Sequence, residues 1–393
     1  MVNQIKDIFF KHFLNEPIIV RSPGRVNIIG EHTDYNEGFV LPAAIDKAIY
    51  VAVSKSGDDS IHLYAENFKE EFEVAFADIK PTGNWATYIL GVVNELIKRG
   101  YSIGGFNLAL NGDVPVGAGL SSSAAVECAV VFALNELFDL SLDKMEMVLI
   151  AQKAEHNFSG LMCGIMDMFA SIFGKKDHVI KLDCRSLEYA YKPLKLDGYK
   201  LVLFNTNVKH SLASSEYNTR RLQCEQGVAW VKEFHPPVNS LRDVNLQMLD
   251  DHVVVKDKLV YKRCRFIVEE IQRLLVACDD LEHGRLNALG MKMFQTHEGL
   301  SKDYEVSCKE LDYLVDAVKN NAAVRGARMM GGGFGGCTIN IIKEEAIEQL
   351  IDELSKSYKR QMNLELTPYI VKTATGTERI VDNIYAGNHA SDI

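Results

Sequence analysis

The sequence predicts a two-domain protein in which α-helices and β-strands are mixed. The chain has 393 residues, and a single hydrophobic core rarely grows that large. Short runs rich in β-branched and aromatic residues, typical of strands, alternate with longer runs that have helical spacing. The pattern changes near residues 186–200, so we predict domains over residues 1–190 and 191–393, packed closely with a cleft between them.

Strands and helices are mixed in the first half of the chain. An amphipathic helix is predicted at "MVNQIKDIFFKHFLNE", and strands at "PIIV", "AIYVAVSK", "IHLYAENF" and "EFEVAFA". The helix predicted at "NWATYILGVVNELIKRG" stops at Gly100, a residue suited to a C-cap. The strand "FNLALNGDV" leads into a stretch rich in glycine and serine, and Ser141 is the predicted N-cap of the next helix, "SLDKMEMVLIAQKAEHNF".

Helices dominate the second half, from Ser214 to about Asn321. A glycine-rich turn that leads into a β-branched strand is predicted at "GARMMGGGFGGCTINIIK". A charged helix, "KEEAIEQLIDELSKSYKRQM", and a last strand, "LELTPYIVKTA", follow. This order of elements completes the prediction of a mixed α/β chain.

Composition excludes several classes of function. The net charge of -10 (43 basic minus 53 acidic residues) disfavours binding to nucleic acid or to an anionic membrane. No stretch is long and apolar enough for a membrane span, and Asp7 and Lys11 make the first helix unlike a signal peptide. The eight cysteines form no C-x-x-C pair, which favours reduced thiols. We expect a cytoplasmic monomer that acts on small molecules.

The stretch "GDVPVGAGLSSSAAVECAV", residues 112–130, places three serines after two glycines at the start of a predicted helix. Glycines allow a sharp turn and a close approach to a ligand, and a helix N-terminus attracts anions, phosphate above all. A serine hydroxyl could also bind Mg²⁺. A serine N-cap after a tight turn would explain the same residues. The pattern is neither a Walker A motif nor G-x-G-x-x-G.

Two further stretches favour a ligand site. In "SPGRVNIIGEHTDYNEGFVLPAAID", residues 22–46, the segment "EHTD" offers two carboxylates and an imidazole, which suits the hydroxyls of a sugar. A solvated turn is the alternative interpretation. In "CGIMDMFASIFG" a single acid, Asp167, stands in an apolar run, where a carboxylate is costly unless it is paired or functional.

These stretches, together with "GGGFGG" at residues 331–336, resemble the signature motifs of the GHMP kinase superfamily. The segments "GRVNIIGEHTDYNEG" and "VKHSLASSEYNTRRLQCE" resemble those of its galactokinase family in particular. The resemblance extends from Arg21 to about Arg379. It implies an N-terminal mixed α/β sandwich, a ferredoxin-like C-terminal domain and an active site between them. It also implies transfer of the γ-phosphoryl group of ATP to the anomeric hydroxyl of galactose, with Mg²⁺ as cofactor.

The resemblance also implies roles for particular residues. Asp167 matches the family's general base, and Arg25 matches the residue that stabilises the transferring phosphoryl group. Ser123 and Glu155 match its Mg²⁺ ligands, and residues 331–336 support the substrates. The positions that match the ATP phosphate loop are Gly117, Ala118, Gly119, Leu120, Ser121, Ser122 and Ser123. The positions assigned to sugar binding are Glu31, His32, Thr33, Asp34, Gly164 and Tyr217.

The family pattern is not complete, and alternatives remain. Met168 stands where many members have Gln, and Glu37 where many have Gly, so the fine sugar preference is open. A kinase for N-acetylgalactosamine or arabinose is the main alternative, whereas the mevalonate branch should lack "EHTDYN". A non-catalytic sensor of galactose and ATP is disfavoured by the intact "GLSSSAA". Arg220 and Arg221 are predicted to form solvated i,i+4 pairs with Glu216 and Glu225.

Overall fold

The computed structural model describes residues 1–208 and 213–381. None of the helices in these two ranges is long and apolar enough to cross a lipid bilayer. The helices are α1 (Val2–Phe13), α2 (Ala86–Lys98), α3 (Ser122–Phe138), α4 (Lys144–Ala154), α5 (Met166–Phe173), α6 (Ala213–Lys232), α7 (Leu246–His252), α8 (Lys258–Glu282), α9 (Leu286–Lys302), α10 (Lys309–Val318) and α11 (Ile347–Met362).

The strands are β1 (Ile18–Asn27), β2 (Phe39–Val40), β3 (Pro42–Lys55), β4 (Ser60–Ala65), β5 (Glu70–Ala75), β6 (Phe106–Gly112), β7 (His178–Asp183), β8 (Tyr189–Pro193), β9 (Tyr199–Asn205), β10 (Val324–Met329), β11 (Cys337–Lys343), β12 (Thr367–Val371) and β13 (Glu378–Ile380). They form a six-stranded sheet in the order β13-β1-β3-β6-β4-β5, a four-stranded sheet in the order β10-β11-β9-β12, and a small sheet in the order β2-β7-β8. The predicted mixed α/β class is confirmed.

The six-stranded sheet has helices packed on both of its faces. Alternate residues of a strand point to opposite sides, so each face contributes to a different core. Val51 and Val53 of β3 pack in the large core that also contains α2, α3 and α5. Ala52, between them, packs on the other face against Ile5 and Phe9 of α1. This double coverage explains why most residues of β3 and β6 are buried, on both faces of the sheet.

The four-stranded sheet joins the two halves of the chain. Leu201 and Leu203 of β9 pack in the same large core as the first sheet. Val202 and Phe204 face the opposite side and pack with residues of α10 and α11. The close packing of the halves that the sequence predicts is therefore formed by one face of β9 together with residues of α8, α9 and β11.

The end of the described chain returns to the first sheet. Strand β13 pairs antiparallel with β1, with Ile380 opposite Ile19. The second sheet begins with β9, while the C-terminal strand belongs to the first sheet. The division at residues 190/191 remains a prediction.

One predicted helix boundary is wrong. The N-cap of α4 is Asp143 rather than Ser141. The side chain of Asp143 accepts a hydrogen bond from the backbone N–H of Glu146, and the carboxylate of Glu146 accepts one from the backbone N–H of Asp143. This reciprocal capping box satisfies two backbone donors at once. Gly100, by contrast, follows α2 with a φ of +83°, as expected for a glycine that ends a helix.

Candidate active site

The glycine-serine stretch lies between the end of β6 and the start of α3. Gly117 and Gly119 adopt left-handed backbone conformations, with φ of +75° and +74°, which glycine takes without strain. A Cβ atom at residue 119 would lie 3.2 Å from the carbonyl oxygen of Met330. The stretch therefore turns sharply and approaches the second half of the chain.

Ser121 stands at the N-cap position of α3, but its side chain makes no capping hydrogen bond. Its hydroxyl donates instead to Oδ2 of Asp167. The residue has a φ of +58°, which is uncommon for a residue other than glycine and often marks a functional site. The alternative interpretation, a serine that only caps the helix, is therefore wrong for Ser121. The first N–H groups of α3 lack a cap from this side chain, and such groups suit an anion.

Arg25 and Asp167 form a bidentate ion pair at the centre of the site. Nε of Arg25 donates to Oδ1 at 2.8 Å, and Nη2 donates to Oδ2 at 2.9 Å. Nη1 donates to the carbonyl oxygen of Gly119 at 2.6 Å. A β-bulge in β1, between residues 23 and 25, redirects the strand here. Arg25 is 4% exposed and the side chain of Asp167 is 26% exposed, so the carboxylate is the more accessible partner.

Glu31 is held by the second half of the chain. Its Oε1 accepts hydrogen bonds from Nη1 of Arg328 at 3.0 Å and from the backbone N–H of Gly331 at 2.9 Å. Arg328 lies on β10 and is completely buried, and its other donors bind the carbonyl oxygens of Asn27 and Ile28. Arg328 thus fixes both the strand and the carboxylate of the predicted sugar motif. No local sequence motif indicates this residue.

A small pocket of about 110 Å³ collects most of the predicted sugar-binding residues. The predicted site residues in its lining are Arg25, Glu31, His32, Asp34, Gly164, Asp167 and Tyr217. A Cβ atom at residue 164 would lie 1.8 Å from Oδ2 of Asp34, so glycine is required there. Thr33 is not in this lining, because its hydroxyl donates to the carbonyl oxygen of Phe39 at 2.5 Å. We therefore expect Thr33 to hold the turn rather than to contact a sugar.

Burial dominates the electrostatics of this pocket. It lowers the pKa of His32 to about 3, with a smaller contribution from the charge of Arg220, so the imidazole is neutral. It raises the pKa of Asp34 to about 7, and the carboxylates of Asp167 and Glu31 act in the same direction. Nε2 of His32 is buried without a hydrogen-bond partner in the described part of the chain. The hydroxyls of a sugar could satisfy these groups.

The predicted metal ligands Ser123 and Glu155 lie together on the other side of the glycine-serine stretch. Glu155 begins a π-helical turn, Glu155–Ser159, that continues α4, and such turns are frequent at functional sites. Its Oε1 accepts a hydrogen bond from the hydroxyl of Ser159 at 2.8 Å, and the side chains of Ser123 and Glu127 lie close enough to the carboxylate to lower its pKa. Burial raises the pKa of Glu155. The structure thus brings the two predicted ligands together.

A second carboxylate, Glu127, lies one helical turn after Ser123 on α3 and is completely buried. Neither of its oxygens has a hydrogen-bond partner within residues 1–208 and 213–381. Burial raises the pKa of Glu127 well above its usual value, and the charge of Glu155 adds to this shift. In these ranges no three His, Cys, Asp or Glu side chains form a metal centre. The cluster fits an open Mg²⁺ site, which takes one or two carboxylates and is completed by phosphate oxygens and water.

A larger, mostly apolar pocket of about 390 Å³ opens beside the same cluster. Its lining includes Phe68, Trp85, Tyr88 and Phe158, together with Ser122 and Ser123 at the start of α3. Its size and its aromatic walls are typical of a small-molecule site. No sequence motif predicts that these aromatic residues line a site, although Trp85 is one of only two tryptophans in the chain.

The glycine-rich loop of residues 331–336 packs against the glycine-serine stretch, where a Cβ atom at Gly336 would lie 3.2 Å from the backbone of Ala118.

On α6, Arg221 forms the predicted i,i+4 pair with Glu225, at 2.9 Å. Arg220 pairs with Glu216 but is buried and donates to the carbonyl oxygens of residues 304 and 305. The prediction that it is solvated is wrong, because its guanidinium binds carbonyl oxygens of the segment that follows α9. Residues 209–212 of the predicted "VKHSLASSEYNTRRLQCE" motif lie outside the described residues.

The two departures from the family pattern lie outside the small pocket. Glu37 has a φ of +56°, a conformation that favours glycine, and its carboxylate accepts a hydrogen bond from Arg185 at 2.8 Å. Met168 is 1% exposed and packs in the large core. Both positions therefore act on the scaffold around the site.

Comparison with known protein families agrees with this geometry. The galactokinase galactose-binding signature matches residues 7–55, the GHMP kinases N terminal domain matches residues 87–175, and the GHMP kinases C terminal domain matches residues 277–360. The chain is 43% identical to a galactokinase of Thermotoga neapolitana over 92% of this chain and 99% of that protein. It is 40% identical to a galactokinase of Clostridium acetobutylicum over 96% of this chain and 97% of that protein.

Solved structures extend the comparison to the fold. The crystal structure of Lactococcus lactis galactokinase complexed with galactose has a TM-score of 0.92 and 32% identity, covering 96% of this chain and all of that one. The mevalonate kinase of Methanococcus jannaschii shares the fold alone, with a TM-score of 0.62 and 18% identity over 91% of this chain and 99% of that one. From its motifs, its fold and its full-length relatives, the chain belongs to the galactokinase family of the GHMP kinases.

Proposed function

We propose that this protein transfers the γ-phosphoryl group of ATP to the anomeric C1 hydroxyl of galactose, which gives galactose 1-phosphate and ADP. One observation carries the proposal. The ion pair of Arg25 and Asp167 lines the small pocket and is at the same time bound to Gly119 and Ser121 of the glycine-serine stretch. A sugar and a nucleotide phosphate would therefore meet at this pair.

Asp167 would orient the C1 hydroxyl and accept its proton as the new bond between the C1 oxygen and phosphorus forms. The bond between phosphorus and the bridging oxygen of ADP breaks in the same transfer. Arg25 would donate to the equatorial oxygens of the phosphoryl group, whose charge is spread in a loose transition state. Because Arg25 already holds both carboxylate oxygens of Asp167, the two residues are positioned before substrate binds.

The nucleotide would occupy the other side of the same stretch. We infer that residues 117–123 bind the phosphates of ATP through backbone N–H groups and hydroxyls, and that Ser123 and Glu155 hold Mg²⁺. Bound there, the cation would neutralise charge on the phosphates. The apolar pocket lined by Trp85 and Tyr88 would receive the adenine base, because it adjoins Ser122 and Ser123 and its aromatic rings suit a flat heterocycle.

The sugar would be recognised by Glu31, His32, Asp34 and Tyr217, all of which line the small pocket. Buried polar groups of this kind select a sugar because the wrong epimer leaves them unpaired. Relatives named galactokinases, at 40–43% identity, support galactose over N-acetylgalactosamine or arabinose. We also infer a cytoplasmic location, since all eight cysteines are free thiols, as expected in a reducing compartment. The monomeric state stays a prediction.

The test is a coupled ADP-release assay with a panel of galactose, N-acetylgalactosamine, arabinose and mevalonate. We expect galactose to have the highest kcat/KM, and phosphorus NMR to find the phosphate on C1. A higher kcat/KM for another sugar would replace galactose as the substrate. If galactose and ATP both bind, as measured by calorimetry, but no ADP is released, the protein is a sensor and not a kinase.

A further inference from the structure

A chain of three hydrogen-bonding groups, two of them completely buried, leads from the sugar pocket into the second half of the protein. Nδ1 of His32 lies 2.8 Å from the hydroxyl of Tyr35, which lies 2.7 Å from the hydroxyl of Tyr304. The hydroxyl of Tyr304 lies 3.2 Å from Sγ of Cys224. We call Tyr35, Tyr304 and Cys224 the tyrosine relay. None of the three has a role in the reaction described above.

The ring at the end of this relay lines the pocket, and its other nitrogen is buried near the backbone of Gly332. His32 is 4% exposed and lines the pocket, and its Nε2 has no hydrogen-bond partner in the described ranges. A neutral imidazole has one N–H donor and one bare nitrogen acceptor, and the partner of Nδ1 decides which nitrogen carries the proton. The relay therefore decides whether His32 offers the ligand a donor or an acceptor.

The far end of the relay is rigid. Tyr304 is completely buried, and its ring packs 5.1 Å from that of Phe266. Its carbonyl oxygen accepts a hydrogen bond from Nε of Arg220 at 2.8 Å. A hydroxyl fixed in this way has few alternative directions in which to donate, and Tyr35 is one of them.

The direction of the hydrogen bonds follows from the strength of the two terminal groups. Each hydroxyl donates one hydrogen, so the hydrogen bonds of the two tyrosines point either toward His32 or toward Cys224. If the hydrogen bonds point toward Cys224, the hydroxyl of Tyr304 donates to a thiol sulfur, which is a weak acceptor. If the hydrogen bonds point toward His32, Tyr304 donates to Tyr35, and Tyr35 donates to the bare Nδ1, which is a strong acceptor. The thiol then serves as the weak donor, and neighbouring hydrogen bonds strengthen one another.

We propose that Tyr35 and Tyr304 are positioning residues that fix His32 in the Nε2–H form, so that its ring donates a hydrogen bond to one hydroxyl of the bound sugar. The inference rests on the proposed function, because it takes the ligand of this pocket to be a sugar. It also makes sugar selection depend on both halves of the chain, since Tyr304 follows α9 whereas His32 and Tyr35 belong to the first sugar motif.

The first test is nitrogen-15 NMR of the full-length protein with labelled histidine, in which the His32 signals are assigned from a His32→Gln variant. We expect a protonated Nε2 and a bare Nδ1 in the native protein. Tyr35→Phe removes the donor to Nδ1. Tyr304→Phe removes the donor to Tyr35, whose hydroxyl can then accept a hydrogen bond from a protonated Nδ1. Both variants should therefore move His32 toward a mixture of tautomers. A protonated Nδ1 in the native protein would overturn the proposal, as would unchanged His32 signals in both variants.

The second test measures kcat and KM for galactose and for its monodeoxy analogues. We expect Tyr35→Phe to raise the galactose KM about 2–10-fold, the value of one hydrogen bond, with kcat almost unchanged, and Tyr304→Phe to have a smaller effect. The native enzyme should discriminate against one particular deoxy analogue. Both variants should reduce the discrimination against that same analogue. Tyr358→Phe is the matched control, because this tyrosine is equally buried and its hydroxyl donates at 2.8 Å to the carbonyl oxygen of Thr206.

The two tests separate this inference from the proposed function. The tautomer is read in the free protein without turnover, so failure of galactose phosphorylation would leave the NMR result decisive. If Tyr304→Phe does not fold, the half-buried Tyr35 provides the test. A loss of discrimination in Tyr358→Phe equal to that in the relay variants would show a general loss of packing and would overturn the proposal.

Discussion

Carboxylates lie on both sides of the glycine-serine stretch, and they differ in whether the chain supplies a positively charged partner. On the sugar side, Asp167 receives two hydrogen bonds from Arg25 and one from Ser121. On the metal side, the hydroxyl of Ser159 donates to Glu155, and the other side chains beside this carboxylate are Ser123 and the buried carboxyl group of Glu127. The pKa values of Glu127 and Glu155 are raised by burial. The chain itself supplies the counter-charge on one side, whereas a bound cation would supply it on the other.

This difference predicts two classes of variant. Changes at the Arg25–Asp167 pair should act on the chemical step, because the pair is assembled before any ligand arrives. Changes at Glu155 should act on the binding of Mg²⁺ with nucleotide, because that side is completed only by ligand.

The largest effect is expected for Asp167→Asn. The amide cannot accept the proton of the C1 hydroxyl, so kcat should fall by about 10²–10⁴. Calorimetry should still detect binding of galactose and of ATP, because the pocket keeps its shape. A variant that retains more than about a tenth of native kcat would remove Asp167 from the role of base.

Arg25→Ala should lower kcat by about 10²–10³, the typical cost of losing one donor to developing charge. The galactose KM should change much less, because the guanidinium is expected to act mainly in the transition state. Steady-state kinetics with each substrate varied in turn provide the measurement. A large rise in the galactose KM at unchanged kcat would instead make Arg25 a ground-state binder of sugar.

The sequence predicted the parts of the site that motifs carry and missed the parts that depend on distant contacts. Arg25 and Asp167 were identified although they are 142 residues apart, because each lies in a characteristic stretch. Arg328 was missed, since its partner Glu31 is 297 residues away and no local pattern connects them. Tyr304 was missed for the same reason. The fold shows the same limit, because nothing local predicts that β13 pairs with β1.

Other errors concern choices between equivalent local signals. Ser141 and Asp143 can both cap a helix, and only the Asp143–Glu146 spacing of a capping box distinguishes them. Glu127 carried the same signal that singled out Asp167, an acid within an apolar run, here "AAVECAV". A sequence shows that such an acid is unusual, but it does not show whether the folded chain provides a partner.

An intermediate effect is expected for Glu155→Gln. Loss of the carboxylate should weaken Mg²⁺-dependent binding of a non-hydrolysable ATP analogue about 10–100-fold, with galactose binding unchanged. Thermal-shift titrations of Mg²⁺ measure this without turnover. Glu127→Gln should weaken Mg²⁺ binding less, because Ser123 and Glu155 remain. Glu136→Gln, on the same helix α3 but paired with Arg379 at 3.3 Å, should behave as the native protein. Equal Mg²⁺ binding by Glu155→Gln and the native protein would contradict the assignment of the metal side.

The smallest effect is the pH dependence set by Asp34. Burial and the charges of Asp167 and Glu31 raise its pKa to about 7, against a stabilising hydrogen bond from the backbone N–H of Tyr35. A raised pKa means that the folded state holds the proton more tightly than the unfolded state. This contribution to stability is therefore complete below about pH 4 and is lost as the pH rises through about 7.

Binding of galactose should follow the opposite direction. If the ionised carboxylate of Asp34 accepts a sugar hydroxyl, kcat/KM for galactose should rise about tenfold between pH 6 and pH 8, with an apparent pKa near 7 that belongs to the free enzyme. His32 does not contribute in this range, because its pKa is lowered to about 3. Asp34→Asn should abolish the rise. A profile in which kcat/KM falls over this range would mean that Asp34 binds the sugar in its protonated form and donates the hydrogen bond instead of accepting it.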